Sequence, residues 1–166
     1  MYSQETKREG ETALTAEEIF EKTYAAYGPA LYRFCLVQLG SSADAEDALQ
    51  EVFCKRLYRA PDFASPEQER RWLFQVAANQ CRDEHRRRGR RDLPLDESLP
   101  APAKEYLGLW EQVAALPEKH RAAIHLHYGE GYSVEETARI LGVTVSAVKM
   151  RLKRGREALR REWEDM

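Results

Sequence analysis

Residues 131–162 read GYSVEETARILGVTVSAVKMRLKRGREALRRE, and this stretch decides the fold. Ser133 and Glu136 spell a capping box for a short helix. That helix buries Val134, Thr137, Ala138 and Leu141. Gly142 ends it, as a glycine able to take the left-handed conformation should. Thr144 can cap a second helix, which buries Val148, Leu152 and Leu159. A small residue at 138, glycine four later and an apolar residue six after that suit a tight helix-turn-helix: the alanine lets the helices approach, the glycine turns the chain, and Val148 locks the second helix over the first. The opposite face of the second helix shows Ser146, Lys149, Met150 and Lys153, flanked by Arg151 and Arg154. Long cations at that spacing suit phosphates and guanine edges in a major groove. A solvated basic helix end is the plainer alternative. The turn in front of it favours DNA.

Outside this stretch the charge alternates in blocks. The chain holds 26 Lys and Arg against 28 Asp and Glu, a net charge of −2, which excludes a globally basic nucleic-acid binder but not a locally basic one. Arg82, Arg86, Arg87, Arg88, Arg90 and Arg91 form one basic block, and residues 149–161 form another. Acids gather at Glu17, Glu18 and Glu21, and again at Asp44, Glu46, Asp47 and Glu51. Three widely spaced cysteines, Cys35, Cys54 and Cys81, have no metal-binding spacing and read as reduced thiols. There is no apolar run of membrane-spanning length and the polar N-terminus is unlike a signal peptide, so the expectation is a soluble, cytoplasmic protein without direct membrane insertion.

Working back toward the N-terminus, the cleanest helix starts near Ala45. Its apolar stripe is Ala48, Leu49, Val52, Phe53 and Leu57, with Ser41 or Ser42 as cap and Asp44 in the first turn. Before it, residues 15–28 form a helix with Ile19, Phe20, Thr23, Tyr24 and Tyr27 on one face. Pro29 is expected to open a separate helix closed by Gly40. After it, Ser65, Pro66 and Gln68 spell a capping box with proline at the first helical position. That helix buries Leu73, Val76, Ala77 and Cys81, and its other face carries Trp72, Gln75, Asn79, Arg82 and Arg86.

Residues 92–103, DLPLDESLPAPA, have three prolines and no helical period. They predict a flexible linker. The expected fold is all-α: a disordered tail over 1–14, a helical domain over 15–91, the linker, and a second helical domain over 104–166 containing the helix-turn-helix. In the second domain one helix carries Tyr106, Leu109, Trp110 and Val113, and another starts at Pro117.

Residues 116–160, LPEKHRAAIHLHYGEGYSVEETARILGVTVSAVKMRLKRGREALR, resemble region 4 of bacterial sigma factors of the extracytoplasmic-function (ECF) group. Residues 43–58, ADAEDALQEVFCKRLY, together with 70–90, RRWLFQVAANQCRDEHRRRGR, resemble region 2. The resemblance covers about residues 16–162, and the two halves together are far more specific than the helix-turn-helix alone. It implies a transcription initiation factor that binds the clamp and flap regions of core RNA polymerase, reads promoter DNA and helps melt it. An anti-sigma factor is a further candidate partner. No cofactor, metal or catalytic residue is implied. His125 and His127 replace aliphatic residues common in the family, and are expected at the surface or half-buried.

The resemblance assigns roles residue by residue. Asp47, Gln50 and Glu51 would dock on the basic coiled coil of the polymerase clamp, where an acid–amide–acid face suits arginines. Phe63, in the loop APDFASP, would hold a base flipped from the −10 element, with Asn79 lining the same region; core packing is the alternative for Phe63. For Trp72, core packing is at least as good a reading as DNA contact. Arg82 and Arg86, with Arg87 and Arg88, would track phosphates. Ser146, Lys149, Met150, Arg151, Lys153 and Arg154 would meet the −35 element. The twelve residues of the linker reach at most about 40 Å. Promoter elements ~17 base pairs apart lie about 58 Å from one another, so the linker fits only if drawn out. A one-component or response regulator with a similar tail would need a receiver or ligand domain in front, and no alternating strands and helices precede it. An enzyme is disfavoured by the lack of a phosphate-binding glycine loop, a nucleophile elbow or a zinc-binding HExxH. A pure interaction adaptor is the third alternative.

Overall fold

The computed structural model describes residues 13–91 and 107–165, so the expected linker and nearly all of the expected tail lie outside the described residues. All regular structure among the described residues is helical. Helix α1 spans Ala16–Leu39, α2 Ser42–Tyr58 and α3 Pro66–Arg91. In the second half α4 spans Leu107–Ala114, α5 Glu118–Ile124, α6 Val134–Leu141 and α7 Val145–Glu164. A π turn, His125–Gly129, continues α5.

The caps follow the sequence closely. Ser133 and Glu136 exchange both capping-box bonds, Gly142 has φ 66°, and the Thr144 hydroxyl accepts from the Ala147 amide. Ser41, not Ser42, caps α2, accepting from the Asp44 amide at 3.3 Å. The α3 box is modified. Ser65 Oγ accepts from the Gln68 amide, but Gln68 Oε1 reaches back to the amide of Ala64, one residue earlier.

Pro29 does not open a new helix; it lies inside a continuous α1. Proline normally clashes with the Cβ of the residue before it, and here that residue is Gly28. Pro29 and Ala25, whose carbonyl loses its partner, are both exposed, so water can satisfy the carbonyl. Tyr24 covers Gly28, its ring carbons 3.2–3.3 Å from where a Cβ would stand.

In the first half α1, α2 and α3 pack on one another around Leu31, Phe34, Leu39, Ala45, Val52, Leu73, Phe74 and Ala77. Each fully buried Leu or Phe contributes about 1.5–3 kcal/mol. In the second half α5 and α6 pack on α7, burying Ala123, Ile124, Ile140, Leu141, Val148 and Leu152. The halves are not separated in space. α3 lies on α6, and α1 touches α4 and α5, so a single layer of buried side chains runs between them. This helps to account for a buried residue missing from the expected core, Phe74, whose ring meets that of Tyr132.

Gly155 is buried inside α7, where an added Cβ would stand 2.6 Å from Ile124 Cγ1 on α5. Gly89, exposed on α3, has open space around it. Gly155→Leu is expected to lower stability by about 1–3 kcal/mol through overpacking. Gly89→Ala is expected to raise it by up to about 1 kcal/mol through helix propensity. Urea denaturation of both variants checks the pair. Equal effects of one sign would contradict the packing described here.

Candidate nucleic-acid and polymerase interfaces

On α7 the buried and exposed faces separate as the sequence suggests. Val148 and Leu152 are buried, Leu159 is half-buried, and Ser146, Lys149, Lys153 and Arg154 are exposed. Met150 is 49% exposed, large for an apolar side chain, and stands among those cations. Arg151 departs from this group. It turns toward the first half and lines a cleft of about 470 Å3 with Arg82, Arg86, Lys119 and Glu118. Burial, and then the charge of Arg82, lowers its proton affinity. Arg156 instead bonds Tyr128 Oη at 3.0 Å.

Helix α2 brings Asp47, Gln50 and Glu51 to one exposed face. With Asp44, Gln80, Glu84 and Arg87 they line a polar cleft of about 390 Å3 between α2 and α3. Arg87 pairs with Glu84 along α3, while Arg88 pairs with Asp44 and so ties α3 to α2 across the cleft. Asp47 and Glu51 have no ion-pair partner among the described residues. The acid–amide–acid face is therefore available to an external cation. Cys54, one helical turn further on, is exposed, whereas Cys35 and Cys81 are buried thiols.

The loop before α3 places Phe63 half-buried, its ring 5.6 Å from that of Trp72 and beneath the Arg56 guanidinium at 5.1 Å. Beside it Tyr27 Oη donates to the Pro66 carbonyl, and the two residues with Lys22, Ser65 and Glu69 line a shallow cleft. Trp72 is itself half-buried and packs on the core. Asn79 and Arg86 are exposed on α3. Arg82 is committed: its Nη2 donates to the Leu141 carbonyl at 3.0 Å, across the boundary between the halves.

That boundary holds the residues the sequence reading missed. Glu130 follows the π turn, and only 5% of its side chain is exposed. Arg70 of α3 donates to Glu130 Oε2 at 2.8 Å and to its carbonyl at 3.2 Å. Arg33 of α1 lies 3.8 Å from Oε1, and His125 Nε2 3.3 Å from it. Around this carboxylate the rings interlock. His125 meets Phe34 at 5.1 Å and Trp110 at 4.5 Å, and Phe74 meets Tyr132 at 5.7 Å. Burial pushes the Tyr132 phenol up to about 12. A second polar tie is Arg121, which bonds the Gln38 carbonyl at 2.9 Å and its side-chain oxygen at 3.2 Å. His127 is half-buried, as expected, but His125 is fully buried. The available signal was Glu130 between Gly129 and Gly131. A Cβ at 129 would stand 2.7 Å from Trp110 Cη2, and Gly131 has φ 77°.

The described residues thus form two helical units, one ending in a capped helix-turn-helix with an outward cationic face and one bearing an acidic face. Residues 23–91 match the family Sigma-70 region 2, and residues 106–159 match Sigma-70, region 4. The ECF RNA polymerase sigma factor SigW of Bacillus subtilis is 29% identical over 90% of this chain and 91% of its own. The ECF sigma factor SigM of Mycobacterium tuberculosis is 30% identical over 86% of this chain and 76% of its own. The sigma factor RpoE of Bartonella quintana, solved in complex with the anti-sigma factor NepR, superimposes with a TM-score of 0.76 at 24% identity, covering 87% of this chain and 96% of that one. The chain belongs to the ECF sigma factors. It is thus a transcription initiation factor that directs RNA polymerase to promoters. No helix among the described residues is long and apolar enough to cross a membrane.

His125 makes stability depend on pH. Burial lowers its proton affinity from the ordinary 6.5, against Glu130, which raises it. The unfolded chain therefore binds this proton at higher pH than the folded chain. Its contribution is complete above about 6.5 and falls as pH drops through that value. His85 and His120 are lowered by burial too and act with the same sign. The urea midpoint is expected to fall between about pH 7.5 and 5.5, and His125→Leu to flatten that fall. An equally steep fall in His125→Leu would remove His125 as its source.

Proposed function

We propose that this sigma factor reads the −35 element with α7 and the −10 element with α3 and the loop before it, while α2 docks on the polymerase clamp. The observation that carries the reading is the two-faced α7: Val148 and Leu152 buried, with Ser146, Lys149, Met150 and Lys153 exposed on the opposite side. In a major groove, Lys149, Lys153 and Arg154 can reach guanine edges or phosphates, while Met150 offers an apolar contact to a thymine methyl. Arg151 joins them once it leaves the cleft.

In the first half, Phe63 is positioned to receive a flipped base. Extruding a base costs a few kcal/mol, which stacking at about 1–3 kcal/mol per base offsets. Asn79 contacts that base or its neighbour, and Arg82 and Arg86 track phosphates. Asp47, Gln50 and Glu51 meet basic side chains of the polymerase clamp, and the second half meets the flap. Melting on this account is driven by binding energy. An anti-sigma factor completes the set of partners, as NepR does for the structurally similar RpoE. The overall test is transcription of fragmented genomic DNA by core polymerase plus this chain, with the start sites sequenced. A shared pair of elements upstream of those starts is expected, and starts no different from core alone would end the reading.

Asp47→Arg and Glu51→Arg are each expected to weaken core polymerase binding at least tenfold while leaving helicity unchanged, because both side chains are exposed and outside the core. Core affinity measured by labelled-chain anisotropy, alongside circular dichroism, checks this. Undiminished affinity would place docking elsewhere.

A base-reading cation and a phosphate-binding cation fail differently. Loss of a base contact costs about 1–3 kcal/mol and relaxes preference at one position. Loss of a phosphate contact weakens all sequences alike and lowers the salt slope by about one. At least one of Lys149, Lys153 and Arg154 is expected to show the first behaviour when changed to alanine, and Arg151 the second. A panel of −35 variants transcribed at two salt concentrations separates the two. Uniform loss across the panel for every variant would make α7 an electrostatic anchor only.

A further inference from the structure

The cleft that takes in Arg151 carries more positive charge than its own walls compensate. Four cations line it, Arg82 and Arg86 of α3, Lys119 of α5 and Arg151 of α7, against one acid, Glu118. Arg82, Lys119 and Arg151 make no ion pair among the described residues. Arg86 has a loose one with Asp83 at 3.9 Å, the two side chains 65% and 67% exposed, and such a pair holds weakly. The Arg82 guanidinium donates one N–H to the Leu141 carbonyl, which leaves most of its donors for another acceptor. Burial, and then the Arg82 charge, weakens the hold of Arg151 on its proton, as crowded cations should. Gln38 of α1 is an independent sign. It lines the same cleft, is 3% exposed, and its Nε2 has no hydrogen-bond partner. Its orientation is fixed, because Oε1 accepts from Arg121 Nε at 3.2 Å and a guanidinium only donates. The amide nitrogen is therefore the end turned away from Arg121. A buried donor without an acceptor is costly and rare in folded proteins. An acceptor that suits this donor and meets several cations at once is an anion.

We propose that this cleft binds a nucleoside triphosphate, its linked phosphates on Arg82, Arg86, Lys119 and Arg151 and one phosphate oxygen on Gln38 Nε2. Size and charge select this class over a simpler anion. A cleft of about 470 Å3 lies in the range of small-molecule sites and is far larger than a lone phosphate fills. A lone phosphate also carries less charge than the excess of four cations over one acid. Linked phosphates spread their charge over a length that cations from three helices can share, and the arginine fork matches phosphate oxygens. Ala122 and Val143, both half-buried, give the cleft an apolar wall on which the face of a base can rest.

Calorimetric titration of the full chain tests the site at about 0.15 M ionic strength, where loose surface attraction is screened. ATP and GTP are the probes, with AMP and inorganic triphosphate alongside. Saturable one-to-one binding is expected, about tenfold tighter for ATP or GTP than for AMP, which lacks the linked phosphates. It is also expected to be tighter than for inorganic triphosphate, which lacks the base. Gln38→Glu keeps the oxygen that Arg121 needs and replaces the donor with a negatively charged acceptor. Lys119→Ala removes an exposed cation outside the core. Each is expected to weaken ATP binding about tenfold, with helicity retained by circular dichroism. Lys153→Ala removes an exposed cation of α7 outside the cleft and is expected to leave ATP binding unaltered. No saturable binding, AMP or inorganic triphosphate held as tightly as ATP, full affinity in Lys119→Ala and Gln38→Glu, or an equal loss in Lys153→Ala would overturn the site. Neither polymerase nor DNA is present in the titration, so the result is independent of the promoter reading above.

Discussion

A carboxylate with 5% of its side chain exposed has to be paired, and Glu130 draws its pairing from the other half of the molecule. Breaking a buried pair by removing one partner costs about 3–5 kcal/mol, because a charge is left without compensation. Much of the local geometry serves that pairing. The π turn sets His125 and Glu130 on the same side, with the Glu130 amide bonded to the His125 carbonyl at 3.0 Å. Gly129 lets Trp110 come close, and Gly131 supplies the positive φ by which the chain leaves toward α6. The entry to the helix-turn-helix is thus fixed from outside the helix-turn-helix itself.

Helix α3 is the common wall. Leu73, Ala77 and Cys81 form one stripe at four-residue spacing, and Phe74, Ala78 and Arg82 form the next. The second stripe meets Tyr132 and Leu141 of the other half. A helix buried along two neighbouring stripes has only a narrow strip left for solvent, where Gln75, Asn79 and Arg86 stand. The solvent-facing surface of this helix is what remains after packing on both sides.

Local signals were legible in the sequence because their causes are local. Ser133 with Glu136, Gly142 and Thr144 cap helices through bonds to residues three or four positions away and are found as read, and of the two serines offered for α2 it is Ser41 that caps. The exposed faces of α2 and α7 followed from helical periodicity. What escaped has causes distant in sequence. Phe74 is enclosed by Phe34, 40 positions earlier, and by Tyr132, 58 positions later. His125 is buried by Phe34, from 91 positions earlier. Pro29 was read as a boundary because proline usually is one, but Gly28 before it and solvent beside it remove both objections to a continuous helix. Arg82 and Arg151 were read as free for DNA because nothing in their own segments pairs them.

The three thiols differ in a way that makes the chain its own reagent meter. Cys54 continues the face of Asp47, Gln50 and Glu51 by one helical turn and is open to solvent, while Cys35 and Cys81 are enclosed. A thiol-selective dye added to the native protein therefore attaches at a single position without any substitution, beside the acidic face of α2. Unfolding raises the number of reactive sulfhydryls from one to three. Dye uptake thus counts folded chains, and the environment of the attached dye reports whatever comes to rest on that face.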